Sequence, residues 1–145
     1  MCGRRGCWEQ YASARALTED TRAALRGAPD NIMWRYAGGD LSRIDAKTAF
    51  DAMRAGDALG TRLVRDYVEY VACGVTNVIN IFQPEIICIG GGVSKEGEPL
   101  LERICEIVDQ EDYARDGMKR TQIVIAELRN DAGIIGAAGL GTLYT

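Results

Sequence analysis

Three consecutive glycines, Gly90-Gly91-Gly92, follow directly on four apolar residues of strand character, Ile86 to Ile89. A run without Cβ atoms lets the backbone turn tightly and lets a flat ring or a phosphate approach the main chain. A dinucleotide fingerprint counted from Gly90 needs a glycine in sixth place and meets Lys95. A phosphate loop counted from Gly92 reaches Gly97 and then meets Glu98-Pro99 in place of Lys-Ser or Lys-Thr. Two uses remain for the turn: a surface against which a nucleoside or sugar packs, or a tight structural corner. Near the other end, Cys2 and Cys7 flank Gly3-Arg4-Arg5-Gly6. Thiolates held by a glycine knuckle suit tetrahedral zinc, but a closed structural site needs four ligands and this stretch supplies two. Glu9 stands just past the knuckle, in what should be the first turn of a helix, where a carboxylate ordinarily complements the helix dipole. The chain has no histidine. That removes the commonest general base, the Ser-His and Cys-His nucleophile systems and a usual zinc ligand.

The elements that must hold these residues are read from periodicity and punctuation. Ile86 to Ile89 shows no polar alternation and is too short for a helix, so a strand buried on both faces is expected. Ser94 would cap a helix that carries Leu100, Leu101, Ile104, Ile107 and Val108 and runs to about Asp109. A turn at the carboxyl end of a parallel strand is where open α/β sheets place their ligands.

Earlier in the chain, a helix is expected from Glu9 through Ala16 and Leu17 to about Leu25, ended by Gly27-Ala28-Pro29-Asp30. The segment up to Ile44 reads as irregular, with Gly38-Gly39-Asp40 as a turn. Its aromatic residues, Trp34 and Tyr36, either line a site or fold back onto the core. Asp45 reads as the N-cap of a short helix carrying Ala49, Phe50 and Met53 and stopping at Gly56, and Asp57 as the cap of a much longer one. Leu59, Leu63, Val64, Tyr67, Val68, Val71, Val75, Val78, Ile79 and Phe82 keep three-and-four spacing along that helix. Gly74, Asn77 and Asn80 lie off the stripe and mark close packing or a ligand, packing being the favoured reading.

Pro84 ends the long helix, Gln110 to Lys119 forms a loop, and Thr121 to Ala126 supplies a second strand. Strand, helix and strand in this order imply a parallel, right-handed crossover. Asn130-Asp131-Ala132-Gly133, with Asp131 as cap, opens a last helix through Ile134, Ile135, Ala137, Ala138 and Leu140, whose small residues would admit a close neighbour. The fold class is α/β, helix-rich, with very few strands. Two strands apolar on both sides need neighbours and covering layers that this chain barely supplies, so it reads as a piece of a larger fold.

Composition narrows the field. At 145 residues the chain suffices for one domain with a core and is small for a two-domain enzyme. Its net charge of −4, without a basic run interleaved with aromatics, speaks against a nucleic-acid surface. No apolar stretch approaches membrane-spanning length and the amino terminus has no signal pattern, so a cytoplasmic protein is expected. Five cysteines, an odd number, suit a reducing compartment better than a disulfide framework.

Three motifs, taken together, point to a family. Cys2-Gly3-Arg4-Arg5-Gly6-Cys7-Trp8-Glu9 resembles the C-x-C-G-x-x-G-C-x-E signature of the ROK family of bacterial sugar kinases, notably glucokinases, and related transcriptional repressors. Asn80-Ile81-Phe82-Gln83-Pro84-Glu85 running into Ile89-Gly90-Gly91-Gly92-Val93-Ser94, and Asn130-Asp131-Ala132-Gly133-Ile134-Ile135-Gly136-Ala137-Ala138, match in the same order.

The resemblance implies a helix-rich part of an actin-like ATPase (ribonuclease H-like) fold, with residues 1–145 forming a single partial domain, the carboxyl-terminal lobe of a ROK kinase. It implies transfer of the ATP γ-phosphate to the 6-hydroxyl of glucose, at the head of glycolysis. Glu9 would bind the sugar, Gly90, Gly91 and Gly92 the adenosine, and Cys2 and Cys7 would be two ligands of a structural Zn2+, with Mg2+ accompanying ATP in the intact enzyme. Aligned this way, the chain starts inside the knuckle. The phosphate loop, the catalytic aspartate and the histidine of the zinc site would lie upstream, so no catalytic residue is expected within it and activity alone is not. A homo-oligomer is implied. The alternative is the sugar-sensing effector domain of a ROK-family repressor, which shares the knuckle and the glutamate.

Overall fold

The computed structural model describes residues 3–114, 117, 120–128 and 131–143. It resolves into two compact units, Met1–Gly74 and Val75–Thr145, and the division falls within the longest helix.

The first unit is helical. Where one continuous helix is expected from Glu9, there are two, α1 (Glu9–Ala12) and α2 (Ala14–Leu25). Ser13 separates them because its own hydroxyl competes for a helix-end donor: it takes extended backbone, and its Oγ accepts from Ala16 N at 3.1 Å. The segment read as irregular holds a one-turn helix, α3 (Met33–Tyr36), and a 3-10 turn at Leu41–Arg43. Trp34 folds back onto the core, its Nε1 donating to Ala28 O at 3.0 Å. Asp45 caps α4 (Ala46–Arg54) as expected. Its carboxylate accepts from Thr48 N at 3.0 Å while Thr48 Oγ1 accepts from Asp45 N at 3.2 Å, a reciprocal capping box. Asp57, accepting from Gly60 N at 2.7 Å, opens α5 (Ala58–Phe82).

Leu17, Leu25, Met33, Ile44 and Ala52 are sealed from solvent at the centre of this unit. The Arg22 guanidinium fastens the loop over them, donating to the carbonyls of Leu41 (3.0 Å), Ser42 (3.0 Å) and Ile44 (2.9 Å). Five donors in a rigid fork let one side chain reach three carbonyls of the same loop.

In the second unit the end of α5 buries Val75 and Ile79, but Phe82, expected on the apolar stripe, is 73% exposed. The chain leaves the helix at Gln83 (φ +45) and enters β1 (Ile86–Ile89). β1 pairs in parallel with β2 (Gln122–Ile125), with Ile86 opposite Gln122 and Ile89 opposite Ile125. Between them α6 (Glu98–Glu111) buries Leu100, Ile104 and Val108, and α7 (Ala132–Leu143) closes the unit.

Two expectations are corrected here. β1 is not buried on both faces: Ile86 is 55% exposed and Ile87 and Ile89 only half-buried, because among the described residues the strand has one neighbour and lacks the second covering layer that full burial requires. Nor does Ser94 cap the following helix. It is fully buried within a 3-10 turn, Gly92–Glu96, and its Oγ donates to Gly91 O at 2.7 Å. α6 starts after Gly97 (φ +71), with Pro99 in its first turn where a missing N–H costs nothing. Asn130 lies outside the described residues.

Candidate functional site

Glu9 opens α1 and is exposed. A four-residue helix cannot hold itself in place, and none of its residues is buried. It is instead built on Trp8, whose carbonyl accepts from both Tyr11 N and Ala12 N at 2.9 Å. Glu9 lines a hollow of about 250 Å3 with Gln10, Ser13, Arg15, Ala16, Glu19 and Asp20. No hydrogen bond or ion pair engages its carboxylate among the described residues. Carboxylates, a guanidinium, an amide and a hydroxyl around one small hollow offer both acceptors and donors, the lining a molecule rich in hydroxyls requires.

Asp20 faces two hollows, the second of about 420 Å3 and lined also by Arg62, Leu63, Asp66, Tyr67, Glu69 and Tyr70. Partial burial, and then the like charge of Asp66, push its carboxyl above the usual range. Burial alone pushes the Tyr67 phenol up to about 12, so it stays a neutral donor at physiological pH. Ser13, Arg15, Glu19 and Asp20 were not singled out by sequence reasoning. Their shared polar face on and just before α2 was the available signal.

Gly90, Gly91 and Gly92 lie at the carboxyl end of β1, all exposed. Gly91 sits at φ +81, a conformation that penalises any side chain, and beside both Gly91 and Gly92 the space a Cβ would take is open. The turn is held from beneath by Ser94, leaving bare backbone outward. Glu9 and Cys7 belong to the first unit and the three glycines to the second.

Cys7 is a half-buried free thiol, and Cys2 lies outside the described residues. Among the described residues no group of three or more His, Cys, Asp or Glu side chains is placed to hold a metal ion, so these residues do not by themselves make the zinc site that the knuckle implies. Likewise, no helix among them is long and apolar enough to cross a membrane.

Comparison with known proteins places this geometry. The profile described as ROK family matches residues 1–142. The chain belongs to the ROK family. A glucokinase of Thermotoga maritima is 38% identical over 140 residues, covering 96% of this chain and 43% of that protein. A ROK family glucokinase from Streptomyces griseus, solved in complex with glucose and AMPPNP, superposes with a TM-score of 0.83 at 32% identity, covering 96% of this chain and 45% of that one. A xylose repressor of Caldicellulosiruptor bescii is 28% identical over 141 residues, covering 96% of this chain and 34% of that protein. The chain thus spans less than half the length of the relatives it matches. The helix-rich α/β arrangement is that of ROK sugar kinases, within the actin-like ATPase folds. The ROK assignment accounts for the order in which the knuckle, the glycine turn and α7 follow one another.

Proposed function

We propose that this chain supplies the sugar-binding carboxylate and the adenosine-facing turn of an ATP-dependent glucokinase. The observation that carries the reading is the likeness, over nearly the whole chain, to a kinase solved with glucose and an ATP analogue. Glu9 accepts hydrogen bonds from sugar hydroxyls, which fixes the ring in its hollow. The Gly90 to Gly92 turn lays bare backbone against the purine. ATP brings Mg2+, which neutralises charge on the phosphates; positioning of the hydroxyl against the γ-phosphate provides most of the rate gain in such transfers. The base that accepts the 6-hydroxyl proton and the loop that cradles the phosphates are not assigned to any residue here. Cys2 and Cys7 contribute two of the four ligands that a closed zinc site takes. The protein works in the cytoplasm, where both substrates occur, as a homo-oligomer.

The test is binding and turnover measured on one preparation. Titration calorimetry with glucose should give saturable binding that Glu9→Ala abolishes, while a coupled ADP assay of the chain alone gives no turnover above a protein-free control. Magnesium-dependent turnover lost on Glu9→Ala would show that the chemistry resides in this chain and overturn the division of roles. A second reading, the effector domain of a sugar-responsive repressor, is supported by the likeness to the xylose repressor. Binding of a non-hydrolysable ATP analogue, weakened by Gly91→Val, separates the two, since a repressor needs no nucleoside surface.

A further inference from the structure

We propose that Trp8 and Gly74 form a lock that positions Glu9, a role that rests on the reading of Glu9 as a sugar ligand. The Trp8 indole packs against Gly74 of α5: a Cβ built on Gly74 would fall 1.9 Å from Trp8 Cε2 and 2.2 Å from Cζ2, so no residue but glycine admits the ring there. From this seat Trp8 Nε1 donates to Tyr70 O at 2.7 Å, using the carbonyl one helical turn before the glycine. The next turn of α1 repeats the contact, with Tyr11 stacking obliquely on Tyr70 at a ring separation of 5.1 Å. Trp8 and Tyr11, three apart, therefore pin one side of α1 to α5, and Glu9 between them is held off that side, at the hollow.

Trp8 remains 48% exposed, so it adds less to the core than its size allows. What it fixes is geometry: the hydrogen bond sets the height of the ring along α5, and the missing Cβ sets its depth. Because Glu9 is the adjacent residue and α1 has no buried side chain of its own, a shift of the indole is a shift of the carboxylate. A misplacement of about 1 Å is enough to lose most of a positioned interaction.

The experiment uses the full chain, with glucose as the probe, read by calorimetry, and thermal melting followed in parallel. Gly74→Ala should weaken glucose binding about tenfold or more without lowering the melting temperature, since alanine favours the helix and the half-exposed indole can swing into water. Trp8→Phe, which keeps a ring and loses the N–H, should fall between wild type and Trp8→Ala. In Trp8→Ala/Gly74→Ala the loss should be no greater than in Trp8→Ala alone, because the glycine acts only through the indole. Wild-type binding with Gly74→Ala unchanged, or losses that add in the double variant, overturns the lock and leaves the reading of Glu9 standing. Absence of glucose binding by the wild-type chain overturns that reading, and the lock with it.

Discussion

The two units spend their apolar residues differently. In the first, Leu25 and Met33 are 0% exposed, Leu17 1% and Ile44 2%, and the helix ends around them are closed by Ser13, Asp45 and Asp57. In the second, among the described residues, only Leu100, Ile104, Val108 and the last turns of α5 make a sealed core, while Ile86, Ile134, Ile135 and Leu140 are all at least half exposed. α7 is apolar on every side, yet a Cβ added at Gly133, Gly136 or Gly139 would meet nothing within 4 Å. A helix of that composition is ordinarily enclosed. Capping and burial therefore go together in the first unit, and the second presents surface of the kind that proteins bury against a partner.

That contrast can be broken by substitution. Leu25→Ala should cost about 2–5 kcal/mol, the range for emptying a closed core position, and should unfold the first unit well before the wild type in urea. A loss below about 1 kcal/mol would mean that the unit is loosely packed after all. Ile134→Lys should change stability by no more than about 0.5 kcal/mol and reduce concentration-dependent light scattering. A cost of several kcal/mol would show that the α7 face is covered in solution.

Asp20→Asn tests the carboxylate of the first unit that burial and a like charge disfavour, with the smallest effect. Its folded-state pKa is raised, so the native chain binds more protons than the unfolded one as pH rises from the ordinary 3.8 through the folded value; stability is lost across that window and stays lost above it. Asparagine removes the penalty. The variant should be slightly more stable than wild type at neutral pH, by at most about 0.5 kcal/mol, and equal to it below the ordinary carboxylate range. A gain that persists in acid would assign the effect to packing instead of charge.

Much of this was legible in the residues, for local reasons. Asp45 and Asp57 are caps because a short carboxylate before an apolar-periodic run has few other uses. The α5 stripe gave a helix from Leu59 onward, and the order of apolar runs gave the parallel pairing of β1 with β2. The ROK motifs supplied the candidate residues that periodicity could not rank: by position alone Glu9 reads as a helix-dipole partner, and it is the resemblance that singles it out as a sugar ligand.

What could not be read depends on groups distant in sequence. Gly74 was recognised as a packing residue, but nothing near it names Trp8 as the side chain it admits. The exposure of β1 is a property of the layers around it, which four isoleucine-rich residues cannot report. Ser94 looked like a cap by position, and became a buried strut because the turn after Gly91 tightened and drew its hydroxyl onto the Gly91 carbonyl.

The parallel register has a consequence for biogenesis. Among the described residues β1 pairs with β2, which the ribosome makes only after all of α6 and the loop that follows, whereas every contact that closes the first unit joins segments already synthesised by the end of α5. Contacts of long sequence separation form late. The nascent polypeptide should therefore carry a finished first unit while the β1–β2 pairing still waits, and that interval is when a holdase chaperone would find most to bind.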